Sequence, residues 1–171
     1  EQLLQLSSFE KGENLFQLKP TDLNSLLKEI EIETAVQIEA AKGEIIFNIS
    51  PNNIIVNADK ELLKSAIINL IDNAIKYTSG TPKIEINTNR NENHVLISIR
   101  DNGIGIASKY REKIFERYFR VPTGNVHTVK GFGVGLSYVQ IIIAQHKGAI
   151  SLESEEGKGS LFTIKLPLVN E

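Results

Sequence analysis

Residues 59–78 read DKELLKSAIINLIDNAIKYT, and this stretch decides how the rest of the chain is organised. Leu62, Leu63, Ala66, Ile67, Leu70, Ile71, Ala74 and Ile75 recur at the three- and four-residue intervals of a helix with one buried stripe. Asp59 can cap its start, the helix is expected to reach about Tyr77, and Gly80 and Pro82 lie beyond it. Asn69, Asn73 and Lys76 fall at i, i+4 and i+7 and make a second stripe on the same helix. Asparagine suits a helix interior poorly, because its amide competes for backbone groups. Two stacked amides beside an amine look like a site, with an amide oxygen for a hard cation and an ammonium for phosphate. A solvated polar face would use the same letters.

Upstream of this helix, residues 1–11 (EQLLQLSSFEK) favour a helix that Gly12 interrupts. That pattern marks 1–12 as the end of a preceding domain's helix and 13–171 as one further domain. Residues 15–19 are expected to form a short strand punctuated by Pro20. Thr21 or Asp22 then caps a helix to about Ala41, with Gly43 as its stop. Residues 44–50 and 53–57 read as strands separated by Pro51 and Asn52. Downstream, strands are expected at 83–89 and 94–101, and one helical stretch near 107–119 within an otherwise irregular 102–132. A helix follows at about 133–146, and strands near 149–154 and 160–166 are joined by the turn at 156–159. Strands and helices in mixed blocks argue for an α+β two-layer sandwich over a parallel doubly wound sheet.

The chain has 171 residues, 41% of them hydrophobic and 23% charged, so it can bury a core. A formal net charge of -2 gives no reason to expect a nucleic-acid partner. The absence of cysteine rules out disulfides and thiolate chemistry. There is no Met, the first residue is Glu1, and the piece reads as excised from a longer protein. The longest strongly apolar run, around Ile141–Ala144, is far shorter than the roughly 18 residues of a membrane span.

Three more stretches carry chemistry. In HVLISIRDNGIGI (94–106), strand alternation places Val95, Ile97, Ile99 and Asp101 on one face. A carboxylate among apolar neighbours needs a donor, for which an adenine amino group would serve. Gly103 and Gly105 would let a flat ring approach the backbone, although an ordinary Asp/Asn-Gly turn has the same sequence. In KGFGVGL (130–136), glycines open a helix whose free amides suit a phosphate chain. It is neither a dinucleotide fingerprint nor a Walker loop. In IFERYFR (114–120), Phe115 and Phe119 lie one helical turn apart beside Arg117 and Arg120. They would pin the base of a lid and reach phosphate, or they are core packing and surface arginines.

Taken in order, NLIDNAIKY (69–77), DNGIG (101–105), IFERYFR (114–120) and GFGVGL (131–136) resemble the Asn, first glycine, Phe and second glycine boxes of the histidine kinase catalytic domain. The closing GKGSLFTIKLP (157–167) is similar to that family's last hairpin, so the resemblance covers about 15–168. The wider superfamily includes type II topoisomerases, Hsp90 chaperones and mismatch-repair ATPases. The resemblance implies a Bergerat-type α/β sandwich, three helices on a mixed, mostly antiparallel sheet, with ATP held between the helices and a lid.

It also implies roles. Asn73 would ligate Mg²⁺, Asn69 would support the metal, and Lys76 and Arg120 would meet phosphate. Tyr77 would pack near the nucleotide, Asp101 would take the adenine amine, and Gly103, Gly105 and Ile106 would line the base beside Phe115. Lys130, Gly131, Phe132, Gly133, Val134, Gly135 and Leu136 would form the lid hinge over the phosphates. ATP-hydrolysing relatives carry Glu where this chain has Asn69, and an amide cannot take a proton from water. The implied activity is therefore transfer of the ATP γ-phosphate to a histidine on a separate dimerisation domain, within a two-component system. His94, His127 and His146 lack the context of that acceptor and are read as structural or incidental. Implied partners are the parent's own phosphoacceptor domain, in a homodimer, and a response regulator. The domain would be cytoplasmic, from a parent either free or anchored in the inner membrane. A non-catalytic nucleotide-binding module and an anti-sigma-factor serine kinase are the alternatives.

Overall fold

In this computed structural model, residues 16–122 and 133–169 are described. The helix expected within 1–12 lies outside them. β1 (Lys19–Asp22) leads into α1 (Leu23–Ala40), followed by β2 (Glu44–Asn48), β3 (Ile55–Ala58) and α2 (Lys60–Lys76). β4 (Lys83–Arg90) and β5 (His94–Asp101) come next, then α3 (Gly135–Gln145), β6 (Ala149–Glu155) and β7 (Gly159–Pro167).

Five strands form one sheet in the order β2-β4-β5-β7-β6. Only β2 and β4 run parallel; every other pair in it is antiparallel. β1 and β3 make a separate antiparallel pair, joined to the end of β7 by the Val56–Leu168 bridge. One face of the sheet is apolar by strict alternation: Ile84 and Ile86, Val95, Ile97 and Ile99, then Phe162, Ile164 and Leu166 are all buried. Against it lie the buried stripes of α1 (Leu23, Leu26, Leu27, Ile30), α2 (Leu63, Ala66, Ile67, Leu70, Ile71) and α3 (Val139, Ile142, Ile143). This is the α+β sandwich expected from the order of elements.

The caps hold as read. Asp22 accepts from Asn24 N–H and Ser25 N–H, and Asp59 accepts from Leu62 N–H. His146 serves the fold: its Nε2 accepts from Asp59 N–H at 3.0 Å, and Nδ1 lies 2.7 Å from the Ile142 carbonyl. It ties the end of α3 to the start of α2, and the Phe16 ring meets it edge-on at 5.2 Å.

Two expectations fail. The first strand lies at 19–22 rather than 15–19 and includes Pro20. Proline is tolerated because β1 pairs on one side only, so a missing N–H costs no second ladder. The helical stretch expected near 107–119 is instead two single 3₁₀ turns, Ser108–Tyr110 and Lys113–Phe115. Glu116 is extended and Tyr118 takes φ 64°, so the chain turns back before a helix can propagate. Burial of Ile114 and packing of Tyr110 against Phe119 hold it there.

Ile97 is fully buried on the central strand, so Ile97→Ala should lower unfolding free energy by about 2–5 kcal/mol. Urea denaturation would measure it, and a loss of only a few tenths would contradict the central place given to β5.

Candidate functional site

The two polar signals singled out from the sequence open onto one cleft of about 790 Å³. Asn69, Asn73, Lys76 and Tyr77 reach it from α2, and Asp101 from the end of β5. Gly103, Gly105 and Ile106 line it from the following loop, Arg120 from the segment after the 3₁₀ turns, and Gly133, Val134, Gly135 and Leu136 from the start of α3. Phe115 is not among the lining residues; it packs half-buried against the hydrophobic core. Lys130, Gly131 and Phe132 lie outside the described residues.

On α2 the solvated-face reading fails at Asn69 and holds at Lys76, which is exposed. Asn69 is 8% exposed, buried within the helix pair. Asn73 Nδ2 donates to Asn69 Oδ1 at 3.4 Å, which leaves the Asn73 Oδ1 as an unclaimed oxygen. Gly135 lies directly over the Asn69 amide: a Cβ there would stand 2.8 Å from Oδ1. A side chain at 135 would therefore displace the Asn69 amide from its place. Among the described residues no side chain caps α3, so its first N–H groups are open to the cleft that Gly133–Leu136 line. A half-buried amide oxygen and uncapped helix amides on one cleft suit a hard cation and a phosphate chain. Among the described residues there is no cluster of three or more imidazoles or carboxylates, so such a cation would draw its other ligands from phosphate and water.

At the other end, Asp101 is 9% exposed. Its Oδ1 accepts from Gly103 N–H at 2.8 Å and from Ser160 N–H at 3.1 Å. Burial pushes the carboxyl above its ordinary 3.8, and the two backbone donors pull partly the other way. The loop beyond is stitched down at three points. Ile104 N–H donates to the Tyr77 carbonyl at 2.9 Å, Gly157 N–H to the Ile104 carbonyl at 2.7 Å, and Ile106 N–H to Ser154 Oγ at 2.8 Å. Gly105 has φ 67°, and a Cβ on it would run into the Glu155 carbonyl. Its glycine is thus needed by the packing of the β6–β7 turn.

Sequence reasoning missed the contribution of the last hairpin. Ser160 and Phe162 line the cleft from β7, and Glu156 from the turn. The signal was present: Ser160 shares the inward face of β7 with Phe162 and Ile164, as Asp101 shares that of β5.

The histidine kinase-, DNA gyrase B- and HSP90-like ATPases match this chain over residues 58–170, which holds every one of these groups. The solved catalytic domain of histidine kinase ThkA superposes with a TM-score of 0.76 at 30% identity, covering 88% of this chain and 97% of that one. The chain belongs to this ATPase family, among its histidine kinase catalytic domains. The sensor protein RprX of Bacteroides fragilis is 40% identical over 171 residues, 99% of this chain and 33% of that protein. Histidine kinase ThkA in complex with the response regulator TrrA has the same fold, with a TM-score of 0.77 at 24% identity over 98% of this chain and 47% of that one. The chain spans about a third of the length of RprX. Among the described residues no helix is long and apolar enough to cross a membrane.

A carboxyl with a raised pKa binds its proton more tightly folded than unfolded. Its favourable contribution is present below the ordinary 3.8 and is lost as pH rises through the folded value. Asp101→Asn keeps an Oδ1 for both N–H groups and carries no charge. In urea unfolding from about pH 3 to about pH 8, the variant should gain on the parent as pH rises, then hold a constant advantage. The opposite trend would contradict the desolvated carboxylate.

Proposed function

We propose that this chain binds ATP·Mg²⁺ and transfers the γ-phosphate to a histidine on a separate helical domain of its parent protein. The observation that carries this is the Asn69–Asn73 pair. Hydrolysing members of the superfamily place a carboxylate base one turn before the metal-binding amide; here that place holds a buried amide already bonded to Asn73. An amide cannot activate water, so the cleft favours an acceptor that brings its own nucleophile. An imidazole nitrogen is such a nucleophile: its bond to phosphorus forms as the bond from phosphorus to the ADP oxygen breaks.

Asn73 is assigned to the cation through Oδ1, Lys76 and Arg120 to phosphate, and the start of α3 to the phosphate chain. Asp101 takes the adenine amine, with Tyr77, Gly103, Gly105 and Ile106 about the base. Such chemistry needs positioning and charge neutralisation more than covalent participation by the protein. Residues 13–171 would then be the catalytic domain and 1–12 the end of the helix that delivers it. The parent would act as a homodimer, and its phosphohistidine would supply a response regulator, the partner kind seen with ThkA. The domain would work in the cytoplasm.

Two measurements test this reading. Asn73→Ala should cut the Mg²⁺ enhancement of ATP affinity by about tenfold or more in calorimetric titrations with and without metal. An enhancement equal to the parent's would remove Asn73 from the cation. Mixed with labelled ATP and histidine-bearing helical hairpins of sensor kinases, the chain should place acid-labile, base-stable label on a cognate hairpin. ATP binding without label on any would instead favour a nucleotide-binding module.

A further inference from the structure

Ser154 sits on β6, 9% exposed, and its hydroxyl meets three groups from two places in the chain. It accepts from Ile106 N–H at 2.8 Å, at the far end of the loop that follows Asp101. It donates to the Gly159 carbonyl at 2.9 Å. Its third neighbour is the Ser160 hydroxyl, also at 2.9 Å. A hydroxyl carries one hydrogen. The Gly159 carbonyl can only accept, so it takes the Ser154 hydrogen, and Ile106 N–H can only donate. The bond between the two serines must then run from Ser160 to Ser154. The Ser160 hydrogen is committed inside the hairpin, and Ser160 meets the cleft with lone pairs alone. Its N–H is committed as well, to Asp101 Oδ1 at 3.1 Å.

We propose that Ser154, without touching the nucleotide, is a positioning residue for base selectivity, because its hydroxyl locks the loop at Ile106 and turns Ser160 into an acceptor beside Asp101. This rests on the reading of the cleft as an adenine site. An end wall offering only acceptors suits a purine edge that carries an amino group. It repels one that carries a carbonyl in that place, since neither side then has a hydrogen to share. With Ser154 lost, the Ser160 hydroxyl is released and can rotate to donate to such a carbonyl. The loop also loses its anchor at Ile106.

The test compares ATP with inosine triphosphate, in which a carbonyl replaces the amine, by calorimetric titration of the whole 171-residue chain. The parent should prefer ATP. Ser154→Ala should lower the ATP-to-inosine-triphosphate affinity ratio by about tenfold, the equivalent of one hydrogen bond exchanged for a mismatch. Ser154→Thr, which keeps a hydroxyl on the strand, should retain the parent ratio. A purely structural serine predicts another pattern: a lower melting temperature and both nucleotides weakened alike, with the ratio unchanged. That pattern overturns the proposal. If Ser154→Ala does not fold, Ser160→Ala removes the outer hydroxyl and should also lower the ratio; an unchanged ratio there overturns it equally. Asp101→Asn separates this inference from the reading beneath it. If that variant keeps the parent's preference, the adenine site itself is misplaced and both fall. If it abolishes the preference while Ser154→Ala does not, only the role of Ser154 falls.

Discussion

A carboxylate at the buried end of a central strand must be met by donors, and the way Asp101 is met organises one half of this molecule. Its Oδ1 takes N–H groups from Gly103 and Ser160, residues 57 positions apart that β5 and β7 bring side by side. The loop after β5 is thereby bent back over its own strand end, and the β6–β7 turn closes behind it through Gly157 and Ser154. The cost of burying the charge appears as a raised pKa, which the two backbone donors offset only in part. Two backbone donors on one oxygen leave the other oxygen to face what enters the cleft.

The other half depends on the close approach of α3 to α2, with Gly135 set against the Asn69 amide. Asn69 is buried because Gly135 lies across its amide, and Asn73 is oriented because Asn69 accepts from it. α2 supplies the polar groups, while α3 supplies an uncapped start whose dipole favours negative charge. Neither helix alone presents both sets of groups. Tyr138, Val139 and Ile142, packed within the core, hold the two together at one cleft. At their far ends His146 and Asp59 close the same pair, so the alignment is fixed at both extremities.

Much of this was legible in the linear chain. Period-two alternation found β4 and β5, and period 3.6 with an Asp cap found α2, because burial on one face imposes those repeats on any sequence; a cap and a glycine stop found α1. The same logic flagged Asp101 and the Asn stripe: a polar residue at an apolar phase of the repeat needs a reason. The segment 107–119 was misread because spacing alone cannot separate a helix from two 3₁₀ turns. There the deciding forces are the burial of Ile114 and the left-handed turn at Tyr118, which are properties of the neighbourhood. The place of Pro20 inside β1 was hidden likewise, since only pairing shows which edge is free.

The sequence by itself determined the helix carrying Asn69, Asn73 and Lys76, the strand ending in Asp101, the α+β class and the family, because local periodicity and residue order are written along the chain. Only the tertiary structure decided that Asn69 is buried rather than solvated and that Gly135 is what buries it. It alone showed that Ser160 lines the cleft and that Ser154 bonds to it from behind. Asp101 and Ser160 are 59 positions apart and Ile106 and Ser154 are 48, and no spacing rule along a chain encodes the direction of a hydrogen bond across such gaps.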